Sequence, residues 1–173
     1  EIVFEKNAAK SEKVEKAVKE FLAKVDTLEK TRKMPVTIFQ DGVKKSYYIR
    51  CSISGKTMSS AVSLDARLTP ESGETFRDNR ELLQTHNTFI RMKSDAENER
   101  EFSDIIAEYI TSYIPAKPLK IWGGQHRSRA IMDAYESKKV SRYHGFRIYL
   151  NLTKEQRTEL ALISNTSMAV SND

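Results

Sequence analysis

The sequence predicts an α/β fold: a small mixed sheet flanked by helices, with a long N-terminal helix. Three observations predict it. Over residues 8–33, Val14, Ala17, Val18, Phe21, Val25 and Leu28 recur at three- and four-residue spacing with Lys and Glu on the other face, the period of an amphipathic helix. Tyr47, Ile49, Cys51 and Ile53 alternate with Tyr48, Arg50 and Ser52, the period of a strand. Beyond residue 117 strand and helix signals take turns, which is the grammar of an α/β unit.

The elements follow in order. Pro35 ends the first helix. Val36 to Gln40 leads into Asp41-Gly42, a dipeptide suited to a two-residue type I′ turn, so this strand and the one from Tyr47 form a hairpin. Cys51 falls on the apolar face and reads as a small core residue rather than a reactive thiol. Residues 54–95 are broken by Gly55, Ser59, Ser60, Pro70, Ser72 and Gly73, with a short helix suggested at Asp78 to Gln84. Glu97 to Tyr113 predicts a helix presenting Phe102, Ile105, Ile106, Tyr109, Ile110 and Tyr113 on one face, closed by Pro115 and Pro118. Leu119 to Trp122 is a short strand, Gly123-Gly124 a tight turn, and Gln125 to Ser137 a helix turning Ala130, Ile131, Ala134 and Tyr135 inward. Phe146, Ile148 and Leu150 alternate as a second strand. Thr153 with Gln156 is a capping-box start for a helix through Leu160 and Ile163.

A chain of 173 residues suits one domain with a sizeable core. It divides into helix and hairpin (1–55), a variable middle (56–116) and a motif-bearing α/β unit (117–173). Six Gly and four Pro exclude collagen-like and low-complexity classes. No apolar run approaches the roughly 18–20 residues of a membrane helix, so no membrane partner is expected. The single Cys51 cannot form an internal disulfide, and a reducing, cytoplasmic setting is expected. The first residues lack both a secretion-signal pattern and an initiator Met, as expected of a trimmed or processed chain. His86, His126 and His144 show no metal-ligand spacing, so no protein-held transition metal is expected.

The net charge of +5 is modest, but it is unevenly placed. Residues 117–150 hold eight bases (Lys117, Lys120, Arg127, Arg129, Lys138, Lys139, Arg142, Arg147) against Asp133 and Glu136, leaving the rest of the chain at −1. Such a segment points to a polyanion, either a nucleotide phosphate or a nucleic-acid backbone, or else to a solvated lysine-rich surface.

Within it lies Lys120-Ile-Trp-Gly-Gly-Gln-His-Arg127, a strand running through two glycines into a helix. Glycines let the backbone approach a ligand closely and adopt φ values that other residues avoid. The first helical N–H groups lack partners and carry the positive end of the macrodipole. An anion there meets free donors, and Arg127 can add a bidentate fork while His126 adds a donor near neutral pH. Ser128 and Arg129 could extend the site. No Gly-Lys-Ser/Thr follows, so the Walker pattern is absent. Tyr143 and His144, between Arg142 and Arg147, could touch nucleic acid, though strand-end aromatics serve the core or its rim more often.

Gly124-Gln125-His126-Arg127, followed by Ala130-Ile131, resembles the Gly-Gln-His-Arg core of the DGQHR-domain proteins, part of the wider ParB/sulfiredoxin superfamily that includes DndB-type proteins. Trp122 to Arg127 is similar to the Phe-Gly-Gly-Cys-His-Arg motif of sulfiredoxins. Downstream, Phe146 to Leu152 resembles the family's next strand, Thr153 to Ile163 its polar-start helix, and Asn165-Thr166 with Val170-Ser171 its Asn-Thr and Val-Ser stretch. The resemblance covers roughly residues 117–173. It implies a ParB/sulfiredoxin-like fold with the motif against a nucleotide's phosphates, held by Gly123, Gly124, Gln125, His126, Arg127, Ser128 and Asn165. ATP or another NTP with Mg²⁺ is the implied cofactor. Two departures matter. Gly123 replaces the Asp of the DGQHR form, removing a carboxylate. Gln125 replaces the sulfiredoxin Cys, which excludes thiol-based sulfinic-acid repair there.

Two functions are therefore expected to compete. One is an NTP-dependent component of DNA processing or phage defence. The other is a non-catalytic DNA-binding regulator of the DndB type, touching DNA through Arg129, Lys138, Lys139, Arg142 and Arg147, although no helix-turn-helix is recognisable.

Overall fold

In the computed structural model the described residues are 1–64 and 87–171, with side chains described as far as Ser164. The short helix expected at Asp78 to Gln84 lies outside them, as does the side chain of Asn165. Among the described residues, seven strands form one mixed sheet: β1 (Ile2–Phe4), β2 (Val36–Gln40), β3 (Tyr47–Ser54), β4 (Val62–Ser63), β5 (Ile105–Tyr109), β6 (Leu119–Gly123) and β7 (Tyr143–Leu150). Their spatial order is β1-β2-β3-β7-β5-β6-β4. Among the described residues six helices flank it: α1 (Glu12–Lys24), α2 (Leu28–Thr31), α3 (Gly55–Ala61), α4 (Asn87–Glu97), α5 (Gln125–Lys138) and α6 (Lys154–Ser171). The α/β class is as the sequence predicts.

The long first helix is not one helix. The Ser11 hydroxyl accepts the Val14 N–H at 3.3 Å and starts α1. Val25 is already extended at φ −119°, and Thr27 caps a separate short turn by accepting the Lys30 N–H at 3.1 Å. Val25 leaves the helix yet stays buried beside Val14, Val18 and Phe21, so the apolar spacing runs through the break without marking it.

The hairpin pairs antiparallel with Gln40 opposite Tyr47. The expected two-residue turn is instead a six-residue loop. The Asp41 carboxylate accepts the N–H groups of Val43 (3.0 Å) and Lys44 (2.8 Å), and Lys45 takes the positive φ of 61°. An Asx turn thus replaces the Asp-Gly turn.

A second correction concerns Glu97 to Tyr113. α4 ends at Glu97 in a Schellman arrangement: Glu99 is left-handed (φ 64°), and the Arg100 N–H returns to the Asp95 carbonyl at 2.9 Å. Residues 105–109 are then a strand, parallel to β7 and antiparallel to β6. Its neighbours cover both edges and other elements cover both faces, so its residues are nearly all apolar and their spacing mimics a helix.

Helices pack on both faces of the sheet. On one, Ile49, Cys51, Ile53, Ile105, Ala107, Ile121, Phe146, Ile148 and Leu150 meet Val14, Val18 and Phe21 of α1 and Ala130, Ile131 and Ala134 of α5. Burial pushes the Cys51 thiol well above its usual range, with Glu29 adding to the effect, which fits a core residue. On the other face Trp122 and Tyr149 pack against Leu160 and Ala161 of α6. The capping box that starts α6 is formed reciprocally: Gln156 Oε1 accepts the Thr153 N–H at 2.9 Å, and Thr153 Oγ1 accepts the Gln156 N–H at 3.1 Å.

Candidate functional site

The site is built where β6 ends. A β-bulge sets Gly123 opposite Ile106 while Ile121 lies opposite Ala107, leaving Trp122 as the extra residue. Gly124 then takes φ 96° and serves as the N-cap of α5 with no side-chain hydrogen bond. Its carbonyl accepts the Ser128 N–H at 2.9 Å. The first-turn amides of Gln125, His126 and Arg127 point outward from the helix by the geometry of any N-terminus.

The side chains close in around this turn. Gln125 Nε2 donates to the Ile121 carbonyl at 3.2 Å. Arg127 folds back so that a Cβ on Gly124 would lie 2.7 Å from Nη2, and that same nitrogen donates to the Asp104 carbonyl at 2.9 Å. Burial lowers the Arg127 pKa, and the Asp104 carboxylate works in the opposite direction. The His126 ring stands edge-on to Phe89, with centroids 6.5 Å apart. Ser164 of α6 lies beside Gly123. Gln125 Oε1, Arg127 Nε and Ser164 Oγ are buried with no hydrogen-bond partner in the protein, so three polar atoms surround the two glycines without being satisfied. Ser128 is fully buried and its hydroxyl is likewise unpartnered.

Gly123, Gly124, Gln125, His126 and Arg127 therefore form one locale. Asp104 and Ser164 join them, and sequence reasoning missed both. Asp104 belongs to the segment read as helix, and only the strand at 105–109 brings it to the motif. Its carboxylate occupies the space a side chain on Gly145 would need. Gly145 carried the legible signal, since a glycine inside a strand marks a close approach.

The basic residues are not brought together. Lys120 is buried, its Nζ 4.8 Å from the centre of the Trp122 ring. Lys138 pairs with Glu97 at 3.6 Å, and Lys139 lies over the Tyr135 ring at 5.0 Å. Both sit at the far end of α5, about 20 Å from the motif along a 14-residue helix. Arg142 donates to the Glu99 carbonyl. Arg129 faces Asp133. Arg147 lies across the Tyr48 ring at 5.3 Å. The charge concentrated in sequence is thus dispersed in space.

His144 takes the core place that strand-end aromatics take more often. It is buried, tilted against Phe102 at 6.1 Å, and its Nδ1 has no partner. Burial, helped by Arg142, pushes its pKa down to about 4. An unfolded His titrates near 6.5, so between these values the unfolded chain binds the extra proton and stability falls as pH falls. The thermal midpoint of the wild type is expected to drop relative to His144→Gln between pH 7 and 4. A constant difference across that range would show that the ring does not titrate this way.

Among the described residues no group of three or more His, Cys, Asp or Glu is placed to hold a metal ion, and no helix is long and apolar enough to cross a membrane. Compared with known proteins, the chain matches no family model, no curated protein and no solved structure.

Proposed function

We propose that the protein binds a nucleotide by its phosphates at the N-terminus of α5, as a ParB/sulfiredoxin-like domain serving DNA processing or phage defence. The observation that carries this reading is the left-handed Gly124, which opens α5 without a side-chain cap while Arg127 folds across the turn. The first-turn amides, the positive helix end and a guanidinium then converge on one place, which suits a phosphate. The unsatisfied Gln125 Oε1 and Ser164 Oγ beside it suit hydroxyl or water partners that accompany such a ligand. The Asp104 carboxylate acts electrostatically on Arg127. A Mg²⁺ ion arriving with the nucleotide would meet that carboxylate and shield phosphate charge. Binding, rather than a chemical step, is what these residues support.

The second reading, a non-catalytic DNA-binding regulator, loses support from the pairing of Lys138 and Arg142. Calorimetry separates the two. Wild-type protein is expected to bind one of ATP, CTP or GTP with Mg²⁺, and Arg127→Ala to abolish that binding while the fold remains. Arg127→Lys keeps the charge but not the fork and is expected to bind weakly. Asp104→Asn is expected to remove the Mg²⁺ dependence. Nucleotide binding that survives Arg127→Ala, or tighter binding of duplex DNA than of any nucleotide, refutes the phosphate role.

A further inference from the structure

Register across β3 and β7 sets Tyr48 opposite Tyr149, Arg50 opposite Arg147, Ser52 opposite Gly145 and Ser54 opposite Tyr143. These pairs alternate with the core residues Ile49, Cys51, Ile53, Phe146 and Ile148, so they share the face on which α6 packs. Leu160 and Ala161 of α6 cover Trp122 and Tyr149 there, with Tyr48 only partly buried at the margin. Beyond that margin the face carries rings and guanidinium groups in contact. Phe39 and Tyr48 stack at 5.4 Å with 17° between their planes, and Tyr48 meets Tyr149 at 5.2 Å. The Arg50 guanidinium lies 4.9 Å from the Phe39 centroid and 5.5 Å from that of Tyr48, and the Arg147 guanidinium lies 5.3 Å from the Tyr48 centroid.

The arrangement is poorly explained as scaffold. Two like charges directly opposite on paired strands cost stability. The Glu29 carboxylate, from α2, accepts the Ser52 N–H at 2.9 Å. Arg147 Nε is buried with no hydrogen-bond partner, and Arg50 is exposed. Both guanidinium groups lie over rings, and neither is paired with a carboxylate among the described residues. Asp104, over Gly145 on the same face, is the acid that bounds the strip, and it acts on Arg127.

We propose that this open sheet face over β2, β3 and β7 binds single-stranded nucleic acid, with bases stacking on Phe39 and Tyr48 and phosphates held by Arg50 and Arg147. Aromatic faces on a sheet accept any unpaired base, and planar guanidinium groups both stack and bind phosphate in a fork. A duplex hides its base faces and would leave the rings unused. An acidic peptide would meet the arginines but has no need of the stacked rings. The surface uses none of the α5 residues, so it stands or falls independently of the nucleotide reading.

Fluorescence anisotropy with a short labelled oligo(dT), the matching duplex and free nucleotides tests it. Wild-type protein is expected to bind oligo(dT) at least tenfold more tightly than the duplex, without competition from free nucleotide at the α5 site. Arg50→Ala with Arg147→Ala is expected to lose tenfold or more and to lower the log–log salt slope by about 1.4, since each phosphate contact on a single strand contributes about 0.7. Tyr48→Leu is expected to lose about tenfold with the salt slope unchanged, because stacking releases no counterions. The double variant should melt no lower than wild type, as the opposed charges are gone; if it does melt lower, Arg50→Gln and Arg147→Gln are measured singly and are each expected to lose affinity. Arg127→Ala should keep oligo(dT) binding within twofold. Failure of the wild type to bind oligo(dT) at low salt, equal affinity for the duplex, or retained affinity in the arginine variants overturns the proposal.

Discussion

Glu108→Ala is expected to destabilise the protein by about 3–5 kcal/mol, the usual cost of removing one partner from a buried ion pair. Glu108 is central in β5 and only 1% exposed. Arg157 of α6 grips it with a fork: Nη2 donates to Oε2 at 2.9 Å, and Nε donates to Oε1 at 3.1 Å. Trp122 Nε1 donates to the same Oε1 at 3.2 Å. Lys120, also buried, lies directly opposite across the β5–β6 pair. Alanine would leave a guanidinium and an indole N–H without their acceptor in the interior, beside an ammonium that loses its neighbouring negative charge. The penalty comes from those stranded groups and not from the net worth of the pair, so Glu108→Leu with Arg157→Met should cost much less than Glu108→Ala alone. Urea denaturation of the wild type, Glu108→Ala and the double variant measures this. A loss below about 1 kcal/mol for Glu108→Ala would mean that the network does not hold α6 to the sheet. The same contact bears on the candidate site, because α6 brings Ser164 beside Gly123.

The legible parts of this chain were those whose local signals agree with their surroundings. Thr153 and Gln156 announced the start of α6, and both reciprocal bonds form. Leu119 to Arg127 reads as strand, glycine turn and helix, and β6 and α5 have that order. β5 was illegible because a central strand has no polar face. Ile105, Ile106 and Tyr109 fit the helical period, while only Ile105 and Tyr109 share a strand face, and the stop at Glu99 needs a left-handed non-glycine residue that no propensity flags. Misreading β5 also hid Asp104, since only the strand's pairing with β7 puts that carboxylate over Gly145. The break after α1 was visible at Thr27 but was masked by Val25, which stays in the core. The Arg50–Arg147 pair could not be read at all, because register between strands almost a hundred residues apart is a property of the whole sheet.

The two adjacent glycines of the motif carry opposite expectations. Gly123→Ala should be tolerated within about 1 kcal/mol: a Cβ there meets Ile106 Cδ1 at 3.4 Å and Ser164 Cβ at 3.5 Å, ordinary contact distances, and its φ is not positive. Gly124→Ala should cost about 1–3 kcal/mol. A non-glycine residue in the left-handed region is itself penalised by about 1–2 kcal/mol, and its Cβ would fall 2.7 Å from Arg127 Nη2. The guanidinium end is flexible and would swing away, giving up its bond to the Asp104 carbonyl. Placing Gly124→Ala in an Arg127→Ala background separates the two costs. The backbone penalty should persist there while the side-chain clash vanishes, so the second substitution should be less damaging than in the wild type. Thermal unfolding of the wild type, Gly123→Ala, Gly124→Ala, Arg127→Ala and the double variant reads both terms. Equal losses for Gly123→Ala and Gly124→Ala would show that neither the positive φ nor the folded-back arginine constrains this turn. A cost of Gly124→Ala that is unchanged without Arg127 would assign it to the backbone alone, and the glycine would then be needed for the turn and not for the room it leaves Arg127.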